Sequence, residues 1–220
     1  MPAMRFSAYA TCIALSCVLA ADVFAADNAI TPDKPEQIIE KLPDQKPEPA
    51  KESSLGPLAA QDAQLDTLFS KLKTERSPES ARVIADQIRD SLMLSGSATI
   101  DMLMGNSSKA LSDKRYGAAL DFVDQVTLLA PDYAEGWNRR ATIHYLMGNH
   151  GKSMADTAHT LALEPRHLGA LSGLAGILQD NGRDEQALKA WETYLSYYPA
   201  DRDAQKEALE IINKLTGQKT

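Results

Sequence analysis

A chain of 220 residues with a formal charge of −7 has room for one domain with appendages. It lacks the clustered Lys/Arg surface that nucleic-acid phosphates demand, so nucleic acid is excluded as a partner. Beyond residue 26, no stretch approaches the roughly eighteen consecutive apolar residues of a membrane span.

Residues 1–25 read as a secretory signal peptide. Arg5 supplies the positive start, Phe6 to Ala20 form the apolar run, and Val23-Phe24-Ala25 place small residues where a signal peptidase reads them, with cleavage before Ala26. The expected location is periplasmic or secreted, in a Gram-negative bacterium. Two other readings stay open: a short buried helix, or a lipoprotein signal at Cys17. Against the second, Leu15 stands one position late for a good lipobox and the apolar run continues past the cysteine. Cys12 and Cys17 are the only cysteines, so a chain beginning at Ala26 has neither disulfides nor thiolate chemistry.

Residues 26–60 carry Pro32, Pro35, Pro43, Pro47, Pro49 and Pro57 among charged and amide side chains. Proline at this density breaks helix ladders, and the few apolar residues cannot offset ordering entropy, which predicts a disordered Pro-rich linker. The region 61–220 changes character. Leu65, Leu68, Phe69 and Leu72 follow a helical stripe; after Ser77-Pro78, Ala81, Ile84, Ala85, Ile88 and Leu92 repeat it. Together they predict a helical hairpin. Sustained alternation is missing, so the domain is expected to be all-α. At the far end, Ala204, Ala208, Leu209, Ile212 and Leu215 predict an amphipathic capping helix over 202–216.

Between these lies a repeat. Pro131, Pro165 and Pro199 stand 34 residues apart, each closing a helical run. Counted in units 100–133, 134–167 and 168–201, the turn within each unit falls at Lys114, Gly148 and Gly182, and the small residue at the helix crossing at Ala119, Ser153 and Ala187. This pattern resembles the tetratricopeptide repeat (TPR) family, and the segments Glu135-Gly136-Trp137-Asn138-Arg139-Arg140-Ala141 and Leu163-Glu164-Pro165-Arg166-His167 are similar to small secreted TPR proteins of alphaproteobacteria. The resemblance implies a superhelical solenoid of antiparallel helix pairs. Residues 66–99 are then expected to form a degenerate fourth repeat that lacks its closing proline.

Catalytic chemistry is not legible. Gly151-Lys152-Ser153 lacks the earlier glycine of a phosphate loop, the position being Leu146. His144, His150, His159 and His167 show no metal-ligand spacing, leaving a metal only to tertiary convergence, and His150 and His167 are expected to face solvent. Asn106-Ser107-Ser108 is formally a glycosylation sequon and reads as a polar cluster of a helix. No cofactor and no enzymatic activity are expected.

What the family resemblance does imply is a concave groove that binds a partner protein or peptide. Its positions fall here on Glu135, Asn138, Arg139, Thr142 and Tyr145 in one unit, and on Gly169, Ser172, Gly173, Gly176 and Gln179 in the next. The carboxylate clamp of some relatives is absent, since Met104, Ser108, Gly169 and Gly173 occupy its places. In the middle unit Arg140, His144, Thr157 and Thr160 fall at positions that should be buried, with Asp121 or Asp124 as counter-ion for Arg140. The expected role is an exported adaptor or assembly factor. The alternatives are an envelope enzyme accessory with a polar site around Arg140 and His144, and a membrane-tethered structural lipoprotein.

Overall fold

The computed structural model describes residues 57–217. The signal peptide expected over 1–25 and the linker through residue 56 lie outside the described residues. Within them are nine helices and no strand: α1 (Pro57–Thr74), α2 (Pro78–Met93), α3 (Ala98–Ser112), α4 (Tyr116–Leu129), α5 (Ala134–Leu146), α6 (His150–Leu163), α7 (Leu168–Asp180), α8 (Asp184–Tyr197) and α9 (Arg202–Thr216). Helix α1 begins at Pro57, four residues inside the span expected to be linker, because proline fits the first turn of a helix, where its missing N–H leaves nothing unpaired. Ser77 caps α2 by accepting from the Ser80 N–H, and no helix among the described residues is long and apolar enough to cross a membrane.

The all-α expectation holds, and the 34-residue register is visible in the backbone. Lys114, Gly148 and Gly182 all adopt the left-handed conformation, at φ of 57°, 74° and 67°. After each, an N–H reaches back to close the preceding helix: Arg115 to the Ala110 carbonyl, Asn149 to His144 and Arg183 to Leu178, every one at 2.8 Å. This closure satisfies carbonyls that the helix end would otherwise strand. Lys114 takes that conformation without glycine's freedom, at a cost of about 1 kcal/mol.

Beyond each turn the paired helices run antiparallel, and the residues where they meet are small. Ala119, Ser153 and Ala187 are all buried. In the first pair Ser107 donates across to the Ala119 carbonyl at 3.0 Å; in the second the serine has changed sides, Ser153 donating to Ala141 at 2.8 Å. Successive pairs are also tight. A Cβ on Gly136 would lie 2.8 Å from Val126 Cγ1 and 3.3 Å from the Tyr133 ring, so α5 sits against α4 only because that position is glycine.

The expected fourth repeat is corrected by the packing. Residues 66–99 do contain a hairpin, α1–α2, but it is not stacked on α3–α4. Leu65, Leu68, Phe69, Leu72, Ala81 and Ile88 bury against Leu171, Tyr194, Tyr198 and Ala204, from α7 and the far end of the stack. The core of α3 and α4, with Ile100, Met104, Val123 and Val126 meeting Ile143 of α5, contains no hairpin residue. Arg166 anchors the arrangement, donating to Asp66 at 2.6 Å while its guanidinium lies 4.5 Å from the centre of the Phe69 ring. The hairpin has neither a closing proline nor a left-handed turn inside it to align it with the superhelix, and the aromatic end of α8, with Tyr194 and Tyr198, receives its apolar stripe. Replacing the fully buried Leu72 by alanine should therefore destabilise the whole domain by about 2–5 kcal/mol, seen as a lowered urea midpoint; an unchanged midpoint would mean that the hairpin lies outside the cooperative unit.

Candidate ligand groove

Helices α5 and α7 face each other across a cleft of about 290 Å³, lined by Asn138, Thr142 and Tyr145 on one side and Gly169, Ser172, Gly173 and Gly176 on the other. These are seven of the residues that the repeat register assigns to a concave face, and the structure brings them together. The stripe 138, 142, 145 follows the four-then-three spacing of one helix face. Its polar groups are partly committed. Thr142 donates to the Asn138 carbonyl at 3.0 Å, Ser172 to the Gly169 carbonyl at 3.1 Å, and the Tyr145 hydroxyl to Asp180 at 2.6 Å. That bond to Asp180 also raises the tyrosine's pKa.

The glycine wall is not a packing device at its exposed end. A Cβ on Gly173 or Gly176 would meet nothing within 4 Å, whereas one on Gly169 would touch Asn138 and His167 at 3.4 Å. Glycine inside a helix is about 1 kcal/mol less favourable than alanine, so two residues weaken α7 without easing any internal contact. What they do is leave backbone bare to the cleft. Gln179 does not line the cleft; its side-chain oxygen accepts from the Trp191 indole at 3.3 Å.

Several expectations fail around the groove. Glu135 is buried at 7 % exposure and is not offered to a ligand. Its carboxylate accepts from Asn138 at 2.9 Å and Arg139 at 3.2 Å, with the His167 ring nitrogen at 3.1 Å. Burial alone would raise its pKa; the hydrogen bond from His167, the charge of Arg139 and the bond from Asn138 outweigh that and hold it below the ordinary carboxylate range. His167, expected at the surface, is also buried, because it caps α7: its Nδ1 accepts from the Ala170 N–H at 3.2 Å. That bond assigns the proton to Nε2, which donates to Glu135. Arg139 is largely enclosed as well, giving its remaining bond to the Ser108 hydroxyl. His150 is likewise not free in solvent; it is half-buried with its ring 5.5 Å from Tyr145.

The polar interior of the middle pair is real. His144, Asp156, Thr157 and Thr160 are all buried. The principal partner of Arg140 is Asp156, with a bidentate pair at 2.8 and 2.7 Å; Asp124 adds a bond at 3.2 Å and Thr127 one at 3.0 Å, and Asp121 takes no part. The guanidinium also lies 4.4 Å from the centre of the Trp137 ring. Antiparallel pairing of α5 with α6 brings residues whose numbers sum to about 294 into contact, as with Ala141 and Ser153, so the 140–156 pair was legible once the crossing was known. A reactive site at Arg140 and His144 would need both exposed, but His144 is at 6 % and its Nδ1 has no partner among the described residues. Burial, first among its causes, lowers the His144 pKa. Among the described residues, no group of three or more His, Cys, Asp or Glu is placed to hold a metal ion.

Arg140 is itself partly exposed at 21 %, while Asp156 is not, at 8 %. Arg140→Ala should then cost about 3–5 kcal/mol through the buried carboxylate left without its partner. The double variant Arg140→Ala, Asp156→Ala should recover much of that loss in chemical denaturation, and additive losses would show that the two side chains are not coupled.

No family model matches the sequence. A curated relative, a TPR repeat-containing protein of Rhizobium etli, is 49% identical over 156 residues, covering 71% of this chain and 76% of the relative. Among solved structures, the first TPR of Spaghetti (RPAP3) bound to the HSP90 peptide SRMEEVD is similar with a TM-score of 0.51 and 19% identity, covering 54% of this chain and 94% of that one. The Sgt2 TPR domain from Aspergillus fumigatus is similar with a TM-score of 0.51 and 20% identity, over 55% of this chain and 81% of that domain. At such identities these two likenesses speak for the fold. Close identity to the Rhizobium protein over most of both chains, together with three helix pairs in a 34-residue register, places this chain among the tetratricopeptide-repeat proteins.

Proposed function

We propose that this protein is an exported adaptor or assembly factor that binds an extended, uncharged segment of a partner protein in the cleft between α5 and α7. The observation that carries the reading is the bare wall: Gly173 and Gly176 leave open space where side chains would fit without a clash. A ligand backbone can approach a helix that closely only where Cβ atoms are missing. Asn138, Ser172 and Tyr145 then supply fixed polar contacts at the cleft, in the manner of a mostly apolar site with few oriented groups. None of the residues lining it is Lys or Arg. The acidic peptide held by the RPAP3 domain would find no cation there, in keeping with Met104, Ser108, Gly169 and Gly173 at the clamp positions. The role is binding, without catalysis.

The substitution Gly176→Leu tests this site, because its Cβ meets nothing within 4 Å and the side chain extends from the wall that lines the cleft. Its melting temperature should be unchanged or raised, while capture of the partner recovered from a periplasmic fraction falls at least about tenfold, equivalent to about 1.4 kcal/mol. The double variant Asn138→Ala, Tyr145→Ala should behave alike. Full binding by both variants would move the site off the concave face.

Location in the cell envelope rests on residues 1–25. Protein isolated from cells should begin Ala26-Asp27 on amino-terminal sequencing. An intact Met1 end in the cytoplasm overturns export, and a blocked, acylated Cys17 makes the protein a lipoprotein.

A further inference from the structure

The misaligned hairpin leaves a second cavity, of about 490 Å³, between α2 and the edge of the repeats where α5, α7, α8 and α9 come together. It shares Asn138, Gly169 and Ser172 with the cleft but differs in chemistry, being lined by charges of both signs. Most of those charges are already occupied. Asp201 caps α9, accepting from the N–H groups of Asp203 at 3.0 Å and Ala204 at 3.1 Å, and also accepts the Tyr194 hydroxyl at 2.6 Å. Asp86 pairs with Arg89 at 2.9 Å.

Three lining groups are left over. Arg82, on α2, and Asp203, in the first turn of α9, are both exposed at the rim of the cavity and have no ion-pair partner within 4.0 Å among the described residues. The third is the Tyr198 hydroxyl. Tyr198 is buried at 7 % exposure, yet its hydroxyl makes no hydrogen bond among the described residues. Its proton is held more tightly than usual, first by burial and then by Asp201 and Asp86, with Arg82 opposing and Asp203 contributing; the charges that act on it are those of the cavity wall. The hydroxyl oxygen itself opens onto the cavity, where it can bond to a ligand.

We propose that this cavity binds a small zwitterion, an amino acid or a peptide of two or three residues, with its carboxylate on Arg82, its ammonium on Asp203 and a polar atom on the Tyr198 hydroxyl. Opposite free charges on two walls select such a ligand. A dianion would meet Asp86, Asp201 and Asp203, and a dication would meet Arg82 and Arg89. The volume suits the size, lying within the range of small-molecule pockets. Asp203 follows Gly169 by 34 residues, so the α9 wall extends the repeat register one step beyond the third unit.

The test is calorimetric titration of the full chain with free alanine, alanylalanine and trialanine, and with alanylalanine acetylated at one end or amidated at the other. Saturable binding of at least one unblocked compound is expected, weakened about tenfold or more by either block. Arg82→Gln and Asp203→Asn should each weaken it by a similar factor. Tyr198→Phe should weaken it without lowering the melting temperature, since the hydroxyl bonds to nothing in the domain. Preference for alanine assigns the site to amino acids and preference for the longer compounds to peptides; either supports the proposal. Gly176→Leu should leave this binding intact, which separates the cavity from the cleft. Absence of saturable binding for all three compounds at millimolar concentration, or binding indifferent to the blocks and to Arg82→Gln, overturns it.

Discussion

The left-handed turn inside each helix pair is the constraint on which the remaining architecture depends. A helix that ends with a residue at positive φ sends the chain back along itself, and the N–H that follows closes the stranded carbonyls. Lys114, Gly148 and Gly182 all do this with the same hydrogen bond, so the three pairs share one kind of turn. Small residues at the crossings then bring the helices together, and the first helices of the pairs form one concave wall. Tyr145 and Gly176 owe their position on facing sides of the cleft to this repetition.

Within that frame the middle pair departs from its neighbours. Where the first pair buries Ala110, Val123 and Val126, the second buries His144, Thr157 and Thr160, and the charge of Arg140 is answered by Asp156. A network of this kind rarely gains stability over an apolar core, since desolvating the ions offsets much of their attraction. It does fix geometry: Arg140 ties α5 to both α4 and α6, and the Glu135–His167 bond ties α5 to the start of α7. The two walls of the cleft are thus set by bonds with direction, and the glycines of α7 supply the space between them.

The hairpin shows how a sequence with repeat-like spacing can leave the repeat. Its apolar stripe is genuine, but a stripe states only that a face must be buried. Aromatic surface at Tyr194 and Tyr198, together with Arg166 reaching Asp66 and Phe69, attracts that face to the far end of the stack. The consequence is a cavity that neither the hairpin nor the repeats would form alone.

Local chemistry in the sequence was sufficient for the helices, the turns and the 34-residue register, because proline, glycine and apolar spacing act over a few residues and require no distant partner. The family resemblance, carried onto that register, grouped Asn138, Thr142, Tyr145 and the glycines of α7, since a regular repeat converts sequence separation into spatial position. Contacts between units were decided only by the tertiary structure. Glu135 and His167 stand 32 residues apart and bury each other; read singly, one looked like a groove carboxylate and the other like a surface histidine. Asp156 was missed as the partner of Arg140, since pairing across a hairpin depends on where the helices cross. The placement of α1–α2 could not be read from spacing at all. Its apolar face is covered by residues of α7, α8 and α9, a surface that exists only once the chain has folded.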